Sequence, residues 1–311
     1  MNKLSKFFIS ACLLFSLALF PEAAYSSSNA RNSDNCDTVN LVIDNLRIDE
    51  MPSHFRKTTD LSILNEKNIN TCGLDTLNIS GSQQFSRNNI NLITDNVNTN
   101  LPFIVIDLRQ ESHGFVNKIP ISYENEHNNA NINLSRNEVL LKEKYDLSKI
   151  KLNKKLTFYN KDISIIPNYV GNESKTCRDN SLGYIRITAT DRIPPTPENI
   201  DFFVKSIKKL PKEKWLHFHC KEGIGRTSNF MIFYDMMNNY DKVSSEDIIN
   251  RQINLVSDFT AKDIKDTTSK RRITLYNLFY EYCKEYGKDF NVSFSNYLKM
   301  NNLSYESYLK D

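Results

Sequence analysis

After its first two dozen residues the chain has no apolar run long enough to span a bilayer and no internal repeat, which excludes a membrane bundle and a solenoid. It also has little net charge: 40 basic against 37 acidic residues leave a formal +3 over 311 residues. A near balance of that kind gives no global field for nucleic acid, so any preference for anions must be local. Histidine and cysteine are sparse, at five and six, and they form no paired Cys/His cluster of the sort that builds a structural metal site. What the chain does have is 40% hydrophobic and 11% aromatic content. That is enough to bury a full core as one large domain or two smaller ones, and disorder is not the expectation.

Lys3 and Lys6 precede the apolar run from Phe7 to Phe20, and the small residues Ala23, Ala24 and Ser26 follow. This is the layout of a cleaved signal peptide over residues 1–26, and it predicts a secreted or periplasmic protein. Ile9-Ser10-Ala11-Cys12 loosely resembles a lipidation box, but Cys12 sits inside the apolar run rather than after it, so no stable membrane anchor is expected. In an oxidising compartment Cys36, Cys72, Cys177 and Cys283 could form disulfides, with Cys220 left as the odd thiol. Four cysteines allow three connectivities, and each is equally compatible with a single buried thiol.

Residues 27–40 are rich in Ser and Asn and read as a flexible start, with structure beginning near Leu41. Pro102 to Leu108 is a short apolar run with β-branched residues, suited to a buried strand. Val116 to Ser181 reads as an insert of strands and loops. Tyr184 to Ile187 is a further strand. The stretch Thr190-Asp191-Arg192-Ile193-Pro194-Pro195-Thr196-Pro197 cannot be helical, because each proline restricts the residue before it. Thr196 as N-cap, Pro197 at the first helical position and Glu198 in the first turn then start a helix with the apolar stripe Ile200, Phe203, Val204, Ile207 and Leu210. Trp215 to His219 is another strand, and Thr227 to Met237 reads as a helix with Phe230, Phe233, Tyr234 and Met237 at core spacing. The order strand, loop, helix, strand, glycine loop, helix is an α/β pattern.

The segment His219-Cys220-Lys221-Glu222-Gly223-Ile224-Gly225-Arg226-Thr227 lies at the last strand-to-helix junction. Glycines let the chain turn so that backbone N–H groups face inward, and the following helix adds the partial positive charge of its N-terminus. Such a field favours a thiolate at Cys220, a nucleophile for phosphorus. Arg226 offers a planar fork for two phosphate oxygens, which lysine lacks. The bare Cys-x5-Arg spacing arises by chance in about a quarter of chains of this composition. The glycines, His219, Thr227 and the flanking elements raise its weight.

This loop resembles that of cysteine phosphatases, and Leu216-His217-Phe218-His219-Cys220 resembles the bacterial branch of protein-tyrosine-phosphatase-like phytases. Agreement extends to Phe55-Arg56, Gly81-Ser82-Gln83-Gln84-Phe85-Ser86, Asp107-Leu108-Arg109-Gln110-Glu111-Ser112-His113-Gly114, Thr190-Asp191 and Pro195-Thr196-Pro197-Glu198-Asn199, covering about residues 50–290. The resemblance implies an α/β fold with a mixed central sheet flanked by helices and a small β-rich subdomain within residues 42–60 and 116–182. It implies phosphate removal from myo-inositol polyphosphates, with no cofactor and no metal. Cys220 would be the nucleophile, Arg226 the phosphate clamp and Asp191 the general acid on a mobile loop, later activating water. His219 would orient the loop, Thr227 would hydrogen-bond the thiolate, and Lys221 to Gly225 would line the cradle. Arg56, Arg192, Lys262 and Lys265 would hold the other phosphates. Two departures stand out: Lys221-Glu222 replace the Glu-Ala of many relatives, and Asn128 falls where some relatives carry a substrate-contacting Asp.

Other chemistries fit less well. His217, His219 and Cys220 could begin a metal site, but His217 and Cys220 should point to opposite faces. His113 could suggest a thiol protease, which needs no glycine-rich anion cradle. A secreted tyrosine or dual-specificity phosphatase would share all three catalytic residues, and differs in needing a deep aromatic slot where a phytase needs a broad basic rim. An inactive phosphoinositide-binding module is disfavoured by the intact Cys220, Asp191 and Arg226. Residues 290–311 read as an extra amphipathic helical tail.

Overall fold

The computed structural model describes residues 38–309. The expected signal peptide, Cys12 and Cys36 lie outside them. Among the described residues no helix is long and apolar enough to cross a membrane.

Five strands form the central sheet, in the order Gly183–Arg186, Phe103–Asp107, Trp215–His219, Ile79–Ser82 and Arg56–Lys57. The first four run parallel and the last is antiparallel to its neighbour. Parallel strands need crossover connections, and helices supply them on both faces. Side chains alternate across Trp215–His219: Leu216 and Phe218 join the large core, while Trp215 joins a smaller cluster on the opposite face with Phe85, Val105 and Phe115. Every residue of this strand is buried, as the middle position of a covered sheet requires.

The helix Pro197–Lys208 begins as expected. Thr196 accepts from the Asn199 N–H, the Asn199 side chain accepts from the Thr196 N–H, and Pro197 occupies the first turn. It buries Ile200, Phe203, Val204 and Ile207, whereas Leu210 lies past its end and is only partly covered. The helix Gly225–Asn239 is buried almost all round, from Arg226 to Met236, with Met237 only half-buried. A single stripe understates it, because it packs against the sheet on one side and the helices Ser245–Asn254 and Lys270–Tyr286 on the other.

A second, antiparallel sheet has the order Asn40–Ile43, Ile119–Glu124, His113–Val116 and Val170–Gly171, beside the hairpin of Leu156–Phe158 and Lys161–Ile165. Two expectations need correcting here. Arg56–Lys57, inside the 42–60 range assigned to the β-rich part, pairs with the central sheet instead. The 116–182 insert is also not only strands and loops, since it contains the helices Arg136–Ser148 and Glu173–Asp179. The first of these has a Ser135/Glu138 capping box but buries only Val139, Glu143, Asp146 and Leu147. Half of that face is acidic, so apolar periodicity does not reveal it.

The described part of the expected tail, residues 290–309, is not an appendage. The short helices Phe294–Met300 and Tyr305–Leu309 bury Phe294, Tyr297, Leu298 and Tyr308, packing on Pro197–Lys208 and Lys270–Tyr286. Tyr305 donates its hydroxyl to the Pro194 carbonyl at 2.8 Å, which ties the C-terminal region to the proline-rich loop. Among the described residues Cys72, Cys177, Cys220 and Cys283 are all unpaired, so no disulfide joins any two of Cys72, Cys177 and Cys283, and Cys220 is free. Cys177 and Cys283 are buried single thiols, and burial pushes both thiols well up from their ordinary range.

Candidate active site

The buried strand Trp215–His219 ends at Cys220, and the chain turns through Lys221–Ile224 into the helix Gly225–Asn239. Gly223 makes the turn possible: its φ is +75°, and a Cβ there would stand 2.3 Å from the Gln83 nitrogen and 2.5 Å from the Ser82 carbonyl carbon. Gly225 is less constrained, since its nearest would-be neighbour is the Arg272 guanidinium at 3.0 Å. No side chain caps the helix start, so its first N–H groups face the loop as anion donors. Cys220 is 3% exposed, and Thr227 Oγ1 lies 3.2 Å from its Sγ as a hydrogen-bond donor.

Arg226 is held in place from behind. Its Nη1 and Nη2 donate to the two Glu111 carboxylate oxygens at 2.7 and 3.0 Å, and Nη1 also reaches the Ala189 carbonyl at 3.2 Å. Glu111 in turn accepts from Arg109 Nε at 2.7 Å, and Arg109 continues to Asp44 at 2.7 Å and Gln84 at 2.8 Å. Burial alone would raise the Glu111 pKa, but Arg226 and Arg109 outweigh it and hold the carboxyl well below its usual range. Glu111 sits in the stretch Asp107 to Gly114, where its sequence neighbours do not reveal its part: that depends on long-range contacts, and only its spacing from Arg109 hints at it. The remaining face of the fork meets Asp191, with Nη2 at 3.2 Å from Oδ1. Asp191 Oδ2 accepts from Asn128 Nδ2 at 3.0 Å. Asp191 keeps 27% of its side chain exposed, so its carboxyl group is open to an incoming ligand.

A second buried layer supports the loop. His219 Nε2 lies 2.7 Å from Glu173 Oε1, and Gln84 donates to the same carboxylate at 2.8 Å. His113 sits between Asp107 and Glu173, at 3.2 and 3.6 Å from their oxygens. Burial would depress its imidazole, but Asp107 and Glu143 prevail over Arg109 and Arg186 and raise it to about 9. Burial would raise Glu173, yet His219 takes it down to about 2. Asp107, His113 and Glu173 have ligand atoms close enough to hold an ion. Their chemistry does not fit one: His113 keeps the proton a ligand must lose, and Arg186 Nε already stands 3.4 Å from Asp107. His217 is engaged at both nitrogens, with Ser80 Oγ at 2.9 Å and Ser82 Oγ at 3.2 Å. Burial and His219 hold it well below its ordinary pKa, a neutral core histidine.

In front of the loop lies a cavity of about 630 Å³. Of the residues singled out from the sequence, Asp191, Arg192, Lys221, Glu222, Ile224, Gly225 and Lys262 line it, whereas Cys220, Gly223, Arg226, Thr227 and Lys265 are not among its lining residues. Arg56 is a correction of another kind. It is 3% exposed and donates to the Gly223 carbonyl at 2.7 Å, the His54 carbonyl at 2.9 Å and Ser228 Oγ at 3.2 Å. It therefore braces the phosphate loop from within instead of reaching from a rim, and burial lowers its pKa to about 10. Arg271 and Arg272 also line the cavity. The sequence does not single them out, because adjacent arginines at a helix start look like a solvated face. The rim is not broadly basic either: five basic side chains share it with the carboxylates of Glu124, Glu126, Asp191, Glu222, Asp263 and Asp266. Lys221 is already paired with Glu124 at 2.5 Å.

Residues 106–238 match the PTP-like phytase family model, whose description is inositol hexakisphosphate. The chain is 30% identical over 245 residues to the "Effector protein hopD2" of Pseudomonas syringae pv. tomato, covering 72% of this chain and 52% of that protein. The PTP-like myo-inositol phosphatase of Mitsuokella multacida, solved with myo-inositol-(1,3,4,5)-tetrakisphosphate, superposes with a TM-score of 0.76 at 27% identity, over 88% of this chain and 49% of that one. A PTP-like phytase from Bdellovibrio bacteriovorus superposes with a TM-score of 0.70 at 29% identity, over 84% and 95% of the two chains. This chain thus spans about half the length of the Pseudomonas and Mitsuokella proteins. The chain shares along most of its length the fold of the protein-tyrosine-phosphatase-like phytases, and the segment from the Asp107 strand through the Cys220 loop matches that family's sequence model.

Proposed function

We propose that this chain hydrolyses phosphate monoesters of myo-inositol polyphosphates through a phosphocysteine intermediate. The observation that carries this reading is the Cys220–Arg226 loop, with Thr227 on the sulfur and Glu111 behind the arginine, meeting at Arg226 the Asp191 carboxylate that lines the cavity. The Cys220 Sγ lone pair attacks phosphorus, and the P–O ester bond breaks with its electron pair on the leaving oxygen. Asp191 donates its proton to that oxygen, releasing the alcohol. Asp191, now a carboxylate, takes a proton from water as the water oxygen attacks phosphorus. The P–S bond breaks and phosphate leaves. Arg226, already fixed by Glu111, turns its free face from Asp191 to the phosphoryl oxygens and stabilises the charge that develops there.

A polar cavity without an aromatic wall among its lining residues supports a polyol phosphate as substrate, as does the inositol phosphate held by the Mitsuokella relative. The six carboxylates on the rim favour a second reading, a protein phosphatase whose phosphopeptide carries basic flanking residues. Phosphate release from inositol hexakisphosphate and from a phosphotyrosine peptide separates the two, with Cys220→Ser as control. Release from the inositol substrate that disappears in Cys220→Ser is the expected result. Preference for the peptide would transfer the chain to the second reading, and release that survives Cys220→Ser would overturn both.

A further inference from the structure

Asp191 has two oxygens with different neighbours. Oδ1 faces Arg226, where the phosphoryl group must come, and Oδ2 faces Asn128. Asn128 is 6% exposed and has φ +52°, a left-handed conformation that asparagine tolerates better than most residues. The turn carrying it is closed locally: Asn128 N–H donates to the Asn125 carbonyl at 3.0 Å and Asn129 N–H to Asn125 Oδ1 at 2.9 Å. It is also fastened to the same strand end as the acid loop. Asn131 donates to the Gln110 carbonyl at 3.0 Å, while Thr190, next to Asp191, donates to Gln110 Oε1 at 2.9 Å. The amide and the carboxyl group are therefore set against each other by a common support. Asn128 Oδ1 is buried and has no partner, so the side chain's hydrogen bonding is directed through Nδ2 to the acid.

We propose that Asn128 is a positioning residue for the general acid. By donating to Oδ2 it leaves Oδ1 as the oxygen that carries the proton and delivers it to the leaving group. This rests on the assignment of Asp191 as the acid made above. When a phosphoryl group draws Arg226 away, Oδ1 loses its ion pair and is the one carboxyl oxygen free to take up a proton. The bond to Nδ2 stops the carboxyl from rotating that proton away from the ester oxygen. An aspartate at position 128 cannot do this, since a carboxylate has no donor for Oδ2.

The need for an acid grows with the basicity of the leaving group, so the test compares an alkyl with an activated aryl ester. kcat/KM is measured for wild type, Asn128→Gly and Asn128→Asp on inositol hexakisphosphate and on p-nitrophenyl phosphate, with Asp191→Asn as reference. Glycine suits the left-handed φ, so that variant removes the amide without straining the turn. Both Asn128 variants should lose about tenfold or more on the inositol ester and less than about threefold on the aryl ester, with unchanged melting temperatures. Equal losses on the two substrates, or no loss on either, would overturn the role of Asn128 while leaving the acid in place if Asp191→Asn still discriminates between them. If Asp191→Asn affects both substrates alike, the acid assignment itself fails and takes this inference with it.

Discussion

Buried charge under the phosphate loop is balanced residue by residue, and each member depends on a partner far away in sequence. His113 illustrates the consequence for pH. Its folded pKa of about 9 lies above the ordinary imidazole value of 6.5, so the protonated form is favoured by folding. The stability it contributes is fully present below pH 6.5 and is lost as the pH rises through 9. Denaturant midpoints measured from pH 6 to pH 10 should fall for the wild type by an amount worth a few kcal/mol. His113→Gln should be less stable at pH 6 and should show a flatter fall over that window. An identical slope in the two proteins would mean that His113 is not the group responsible.

At the scale of elements, two features set the site: the turn between strand and helix, and the tether on the acid loop. Gly223 and Gly225 both belong to the Cys220 loop, yet the structure separates them. Gly223→Ala drives a Cβ into the backbone of Ser82 and Gln83, whereas Gly225→Ala meets only the far end of Arg272. Turnover should fall by about a hundredfold or more in the first and by less than about tenfold in the second, in proteins that remain folded. Similar losses in both would show that the strand-to-helix turn tolerates less than its contacts imply. The tether is the bond from Tyr305 to the Pro194 carbonyl, which makes the last helix part of the support for Asp191.

For the molecule as a whole, the cavity mouth carries mixed charge, and on the proposed activity that mixture governs how a phosphorylated substrate is held. Lys262 lines the cavity and Lys265, one turn on along the same short helix, does not. Lys262→Ala should raise KM for inositol hexakisphosphate about three- to tenfold, an effect that shrinks as salt is added, and Lys265→Ala should leave KM within about twofold. Equal effects from the two lysines would indicate a diffuse field rather than a phosphate contact. On the proposed inositol polyphosphate activity, the acidic share of the rim should also make turnover less dependent on a fully phosphorylated ring than a uniformly basic mouth would.

The sequence by itself determined the elements whose signal is local. The strand Phe103–Asp107 is a run of apolar and β-branched residues, the helix at Pro197 carries its cap and proline, and the Cys220 loop sets its cysteine, glycines and arginine together at a strand-to-helix junction, a local pattern suited to an anion cradle. Tertiary structure alone decided what depends on distant neighbours. Arg56 looks like a phosphate ligand until burial turns it into a brace for Gly223. Arg136–Ser148 turns a partly acidic face inward because Arg186 and His113 N–H wait there for Glu143. Asn128 becomes a partner of Asp191 only through a turn that folds back from 63 residues away. Local propensity and periodicity are properties of a short window, whereas burial and ion pairing belong to the packed chain, and no window contains them.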